Sequence, residues 1–135
     1  MTQTAEGTFT VSEFVPTDHV PGVTTALGVG HAHMLKTLTG AIEGSSSTQF
    51  SYAFSEETGV GTYVALESFE GSVDGRRGTL NFAHSATTDG ITRTDEFFLI
   101  VPSSGTGELA GITGGGALVI DAGTERIRFD YLLPA

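Results

Sequence analysis

Apolar residues in this chain recur at every second position: Phe50, Tyr52 and Phe54, then Tyr63, Ala65 and Phe69, then Leu80 and Phe82, then Phe97, Leu99 and Val101. A period of two puts such a set on one face of an extended strand, so the pattern calls for antiparallel sheets with one buried face. No window of helical length competes with it. The spacing predicts eight strands near 7–15, 24–42, 47–54, 61–73, 77–87, 91–101, 115–121 and 124–133. Glycine, 19 of 135 residues, punctuates them, and Pro16, Pro21, Pro102 and Pro134 fall between or at the ends of strands, where a missing N–H harms no ladder. Eight strands with one apolar face must hide their edges, as a closed barrel or a compact sandwich does; the closed antiparallel eight-stranded β-barrel is the favoured form, in a single domain, residues 1–135. Only Gly105-Thr106-Gly107-Glu108-Leu109-Ala110-Gly111 has helical character, enough for one turn that plugs a barrel end.

Two Asp-Gly pairs allow the register to be derived. Asp74-Gly75 suits a two-residue type I′ turn, which sets Val73 opposite Arg76, Phe69 opposite Leu80, Glu67 opposite Phe82 and Ala65 opposite His84. Asp89-Gly90, read the same way, sets Thr88 opposite Ile91 and pairs Leu80 with Leu99, Phe82 with Phe97 and His84 with Asp95. Both registers put the same residues on one face. A slip of one residue would turn each apolar set outward, so the agreement supports a three-stranded meander.

Composition bounds the partners. Sixteen acidic against six basic side chains give −10 at pH 7, a field that repels phosphate backbones and anionic headgroups, so neither nucleic acid nor membrane is expected. With 39% hydrophobic residues the chain should fold, yet no run approaches the ~18 apolar residues of a spanning helix. There is no cysteine, hence no disulfide framework, thiolate metal site or cysteine nucleophile. Met1-Thr2-Gln3-Thr4-Ala5-Glu6 lacks the basic and apolar regions of a signal peptide, and a cytoplasmic location is expected.

On the derived face an apolar wall is interrupted by ionisable groups: Glu67, His84, Arg93 and Asp95 among Tyr63, Phe69, Phe82 and Phe97. A carboxylate and an imidazole in apolar surroundings form an acid/base device, with burial raising the pKa of Glu67 and Asp95 holding His84 in one tautomer. Tyr63, Phe69, Phe82 and Phe97 would shape the cavity. The same pair also fits a satisfied structural network or a wet barrel rim. His31-Ala32-His33 puts two imidazoles on one side of a strand, with His33 a candidate for the pocket lining. Thr37 and Leu38 stand where a cupin would place Glu, so a third ligand would have to come from His84 or Glu67, and no tightly bound metal is expected. Lys36, the only lysine, falls on the opposite face from those histidines, as a buried base or a snorkelling surface amine. Gly105-Thr106-Gly107-Glu108-Leu109-Ala110 matches the start of a dinucleotide fingerprint, but a further strand follows instead of a helix. No Gly-x-Ser-x-Gly elbow is present.

Several segments carry a family resemblance: Lys36-Thr37-Leu38-Thr39-Gly40 with Glu43-Gly44, Tyr63-Val64-Ala65-Leu66-Glu67-Ser68-Phe69, Asp74-Gly75-Arg76-Arg77-Gly78-Thr79, His84-Ser85, and Pro102 to Gly111. Together, from about Thr8 onward, they resemble an uncharacterised bacterial domain-of-unknown-function family whose members are similar to allene oxide cyclase in having a small eight-stranded barrel. Related barrels, among them plant allene oxide cyclases, dirigent proteins and some polyketide cyclases, bind apolar chains and steer ring closure by cavity shape. The resemblance implies a barrel and makes Glu67 and His84 the preferred polar pair, while His31 and His33 lie outside the motif. Three readings follow: a cofactor-free cyclase or isomerase, a non-catalytic carrier of an apolar small molecule, and a filled structural barrel that assembles into homo-oligomers.

Overall fold

The structure, a computed structural model, describes residues 2–121 and 123–135. Eight strands form it: β1 (Gln3–Pro16), β2 (Val29–Gly40), β3 (Ile42–Phe54), β4 (Gly61–Val73), β5 (Arg76–Thr88), β6 (Arg93–Ile100), β7 (Thr113–Asp121) and β8 (Thr124–Leu132). Each pairs antiparallel with the next, and β1 pairs with β8, so the sheet closes into a barrel in sequential order. No helix among the described residues is long and apolar enough to cross a membrane.

Strand bounds differ from the expected ones where turns are tightest. The expected strand 24–42 begins at Val29 and ends at Gly40, whose φ of +112° turns the chain directly into β3 at Ile42, five residues earlier than expected. The β4–β5 hairpin has the derived register throughout, from Val73 opposite Arg76 to Ala65 opposite His84. Asp74 and Gly75 both take positive φ there, 49° and 82°, as a type I′ turn requires.

The second hairpin departs from its derived register. Asp89 Oδ1 accepts the N–H groups of Ile91 and Thr92, so Asp89 is held by its own side chain instead of adopting positive φ, and the loop has four residues with Thr88 opposite Arg93. Lower down, between Ser85 and Thr87, one extra β6 residue enters the ladder near Asp95, which sits at φ +52°. The first change moves the register by two and keeps Arg93 facing inward; the bulge adds one and reverses every side chain beyond it. His84 therefore faces Phe98 across the strands, not Asp95, and Phe82 faces Ile100, not Phe97. Phe97 and Leu99 point outward, while Ile100 is fully buried.

The barrel has two unlike halves. Toward the Asp74-Gly75 turn it is solid, filled by Phe9, Leu38, Phe69, Phe82, Phe129 and Tyr131 with their neighbours. Burial of each such side chain stabilises the fold by roughly 1.5–3 kcal/mol. This end is closed by the connector between β6 and β7, whose single 3-10 turn, Gly107–Leu109, plugs the barrel with fully buried Leu109 as the sequence leads one to expect. The connector lies directly on β5 at Gly78, where a Cβ would meet the Thr106 carbonyl oxygen. At the opposite end the loops 17–28, 55–60 and 89–92 surround an open mouth.

The bulge is testable without touching the core. Val at position 95 would favour a regular, exposed strand, but a β-branched residue strains at φ +52°. Asp95→Val should therefore destabilise the protein by about 1–3 kcal/mol in urea unfolding. A neutral or stabilising effect would instead support a regular, unbulged β6.

Candidate functional site

Where the solid half meets the open half, a layer of polar side chains crosses the barrel. Glu67 on β4 is its centre and is fully buried. Its Oε2 accepts from Lys36 Nζ at 2.5 Å and from His84 Nε2 at 2.7 Å; its Oε1 accepts from Ser46 Oγ at 2.7 Å and Thr48 Oγ1 at 2.6 Å. Strand periodicity delivers these groups: positions 46 and 48 continue inward the alternation of Phe50, Tyr52 and Phe54, and Lys36 shares the inward phase of Ala32 and Leu38.

Burial alone would raise the Glu67 pKa, as the sequence reading supposed. The hydrogen bond from His84, the Lys36 ammonium and the remaining donors outweigh it and bring the carboxyl from 4.5 to about 2. Glu67 is thus anionic at neutral pH. His84 moves the other way from its usual preference for charge: desolvation, together with Lys36 and Arg93, lowers its pKa despite the Glu67 hydrogen bond, so the imidazole is neutral. Since an anionic Glu67 only accepts, His84 carries its proton on Nε2 and leaves Nδ1 as an acceptor. Tyr63 Oη lies 2.9 Å from that Nδ1 and donates to it. Tyr63 in turn accepts from Arg93 Nη2 at 2.8 Å, while Arg93 Nε donates to Glu96 at 2.9 Å. The outcome is one directed chain from Arg93 through Tyr63 and His84 to Glu67. No buried side-chain nitrogen or oxygen among the described residues is left without a partner.

Above this layer lies a cavity of about 140 Å³ bounded by Phe9, Val11, Met34, Lys36, Phe50, Tyr63, His84, Leu118, Ile120 and Glu125. It leads toward a largely apolar recess of about 510 Å³ at the mouth, shaped by Phe50, Tyr52, Phe54 and Tyr63. Phe14 packs edge-on against Phe50 at 6.2 Å and remains half-exposed. Tyr52 lies over Gly30, whose missing Cβ makes room for its ring.

Of the residues singled out from sequence, Glu67, His84 and Tyr63 come together here. Asp95 does not: the β6 bulge removes it from His84, and it is exposed at the surface. Phe97 lies outside the barrel for the same reason, its inward place taken by Phe98, which stacks on His84 at 5.9 Å. Phe69 and Phe82 are inward but belong to the solid half, where Phe82 supports the His84 ring from below at 5.9 Å. His33 faces outward with His31, their rings 6.2 Å apart, because the inward phase of β2 belongs to Ala32 and Lys36; it cannot line the interior. Among the described residues no three His, Cys, Asp or Glu side chains converge as metal ligands. Ser46, Thr48 and Phe50 were not proposed as site residues, although the alternation through Phe54 carried the signal for all three.

A family model described as a protein of unknown function (DUF3224) matches residues 5–131. The chain belongs to that family. A crystal structure of a DUF3224 protein of unknown function from Shewanella oneidensis MR-1 is similar over 100% of both chains, with 27% sequence identity and a TM-score of 0.84. No curated protein matches the chain.

Both buried groups make this DUF3224 chain sensitive to acid. A folded pKa below the unfolded one gives stability that is present above the unfolded value and lost as pH falls. His84 should begin that loss below about pH 6.5, and Glu67 should extend it from about 4.5 down to about 2. Thermal melting across pH 2–8 should show both limbs, with the lower one absent in Glu67→Gln. Lys36→Met, which leaves the carboxylate short of its cation, should cost about 3–5 kcal/mol at pH 7. The double variant with Glu67→Gln should recover much of it; a strictly additive loss would show that the two side chains are not coupled.

Proposed function

We propose that the protein binds an apolar small molecule in the open half of the barrel, with an oxygen-bearing end against Tyr63 and His84, and acts on it as a cofactor-free cyclase or isomerase. The observation that carries this reading is the directed hydrogen-bond chain whose middle members, Tyr63 and His84, line the cavity. Burial raises the Tyr63 pKa despite Arg93, so the phenol is protonated at neutral pH. A ligand proton taken up by Tyr63 Oη is matched by transfer of the phenolic proton to His84 Nδ1, and the resulting imidazolium is stabilised by the Glu67 carboxylate. The reverse transfer returns a proton at another ligand atom and restores the starting state. In this reading Glu67 holds charge and orientation and does not itself exchange a proton, because four donors saturate it. Exposed Phe14 and Phe54 supply the apolar walls for the body of the ligand.

A carrier reading has its own support, since the polar layer is satisfied without any ligand. Native mass spectrometry of freshly purified protein should reveal a bound apolar molecule, and Phe50→Asp should abolish its retention. Tyr63→Phe should retain it while ending its conversion, measured by comparing the chemical identity of the molecule incubated with each protein. Unchanged conversion by Tyr63→Phe would exclude the relay, and no retention of any apolar compound would remove both readings.

A further inference from the structure

The outer face of β2–β6 is set apart by its charge. Successive outward rows can be followed through the ladder: one runs His31, Ser51, Val64, Ser85, Phe97, and the next runs His33, Gln49, Leu66, Ala83, Leu99. Neither contains Asp, Glu, Lys or Arg. The flanking rows through Ala53, Thr62 and Thr87 above, and through Ser47, Ser68 and Asn81 below, are uncharged as well. In a chain with 16 acidic and six basic residues this is a marked segregation. Charges gather instead on β1 and β8, as Glu6, Arg126, Arg128 and Asp130, at the two barrel ends, and at the β6 margin of the face, where exposed Asp95 and Glu96 stand beside Phe97.

The centre of the face is apolar. Val64 is 59% exposed, Leu66 47%, Phe97 52% and Leu99 38%. The last two are there because the β6 bulge reversed them; nothing inside the barrel uses them. With strands ~4.8 Å apart and a rise of ~3.4 Å per residue, four rows on the three central strands that can face one partner across a closed barrel cover about 400 Å². That is about half the ~800 Å² per partner of a standard interface, the size of a weak, concentration-dependent association, with an apolar centre and a polar Ser/Thr/Asn/Gln rim.

We propose that this face is the interface of a homodimer. Two copies each carrying −10 repel wherever their charged surfaces meet, and this is the surface on which identical copies can close with carboxylates, Asp95 and Glu96, only at its β6 margin. A basic partner would find its attraction elsewhere, on the acidic ends. A two-fold axis through the Leu66–Ala83 pair sets each apolar centre against its own copy, which is how a self-complementary patch closes.

Light scattering coupled to size exclusion, over a concentration series, tests it on the intact protein. The expected mass is that of two 14.0 kDa chains, with tighter association as salt screens the net charge. Leu66→Glu should weaken dimerisation by about 30-fold or more, as should Phe97→Asp. Gln49→Lys, at an exposed polar position that the fold does not depend on, should weaken it in the same direction, and circular dichroism should show all three variants folded. A monomer throughout the series, a trimer, or a dimer indifferent to Gln49→Lys and Phe97→Asp would overturn the proposal.

Discussion

A carboxylate shut away from water is among the most expensive groups a protein interior can hold, and Glu67 is shut away completely. Its four donors come from three other strands: Lys36 on β2, Ser46 and Thr48 on β3, His84 on β5. The network consequently depends on three ladders being in register at once. A slip of one residue in any of them would turn a donor outward and leave the charge short of a partner. The carboxylate thereby penalises misregistered barrels as well as fixing the tautomer of His84.

The polar layer also divides the interior. On one side aromatic and branched side chains pack as a buried cluster around Phe129 and Tyr131, and the connector turn seals the end. On the other, Phe14, Phe50, Tyr52 and Tyr63 leave space between them. The His84 ring lies at this boundary, stacked between Phe82 and Phe98 and hydrogen-bonded on both nitrogens.

The barrel and the Glu67–His84 pair were legible because Asp74-Gly75 forms the turn that its residue types favour, and one turn then sets thirteen paired positions from Gly61 to Val73. Asp89-Gly90 misled for a definite reason: an Asp side chain can cap a loop as readily as it can enter positive φ, and here it does the former. That turn alone shifts the register by two and keeps each residue on its face; the separate bulge near Asp95 turned Phe97 outward, and Arg93, which precedes it, was spared. Alternation also reports which face a residue occupies without reporting its height along the barrel. Phe69 and Phe82 are therefore inward, as expected, yet sit in the filled half. Lys36 was ambiguous because lysine is ordinarily a surface residue; its phase with Leu38 pointed inward.

One ladder of the closed barrel is far shorter than the others. β6 and β7 pair only at Ile100 and Gly114, whereas β7 and β8 pair from Thr113 to Asp121. Beyond that point the two strands diverge around a recess of about 110 Å³ that reaches His84 and Arg93. Mechanically the molecule is a curled sheet fastened by a single clasp near its closed end. Spreading β6 from β7 breaks almost no ladder bonds, so the wall beside His84 can breathe at a free energy well below that of global unfolding. Amide exchange in β6 should accordingly outpace that in β4, so that the barrel is least firmly closed along its β6–β7 seam.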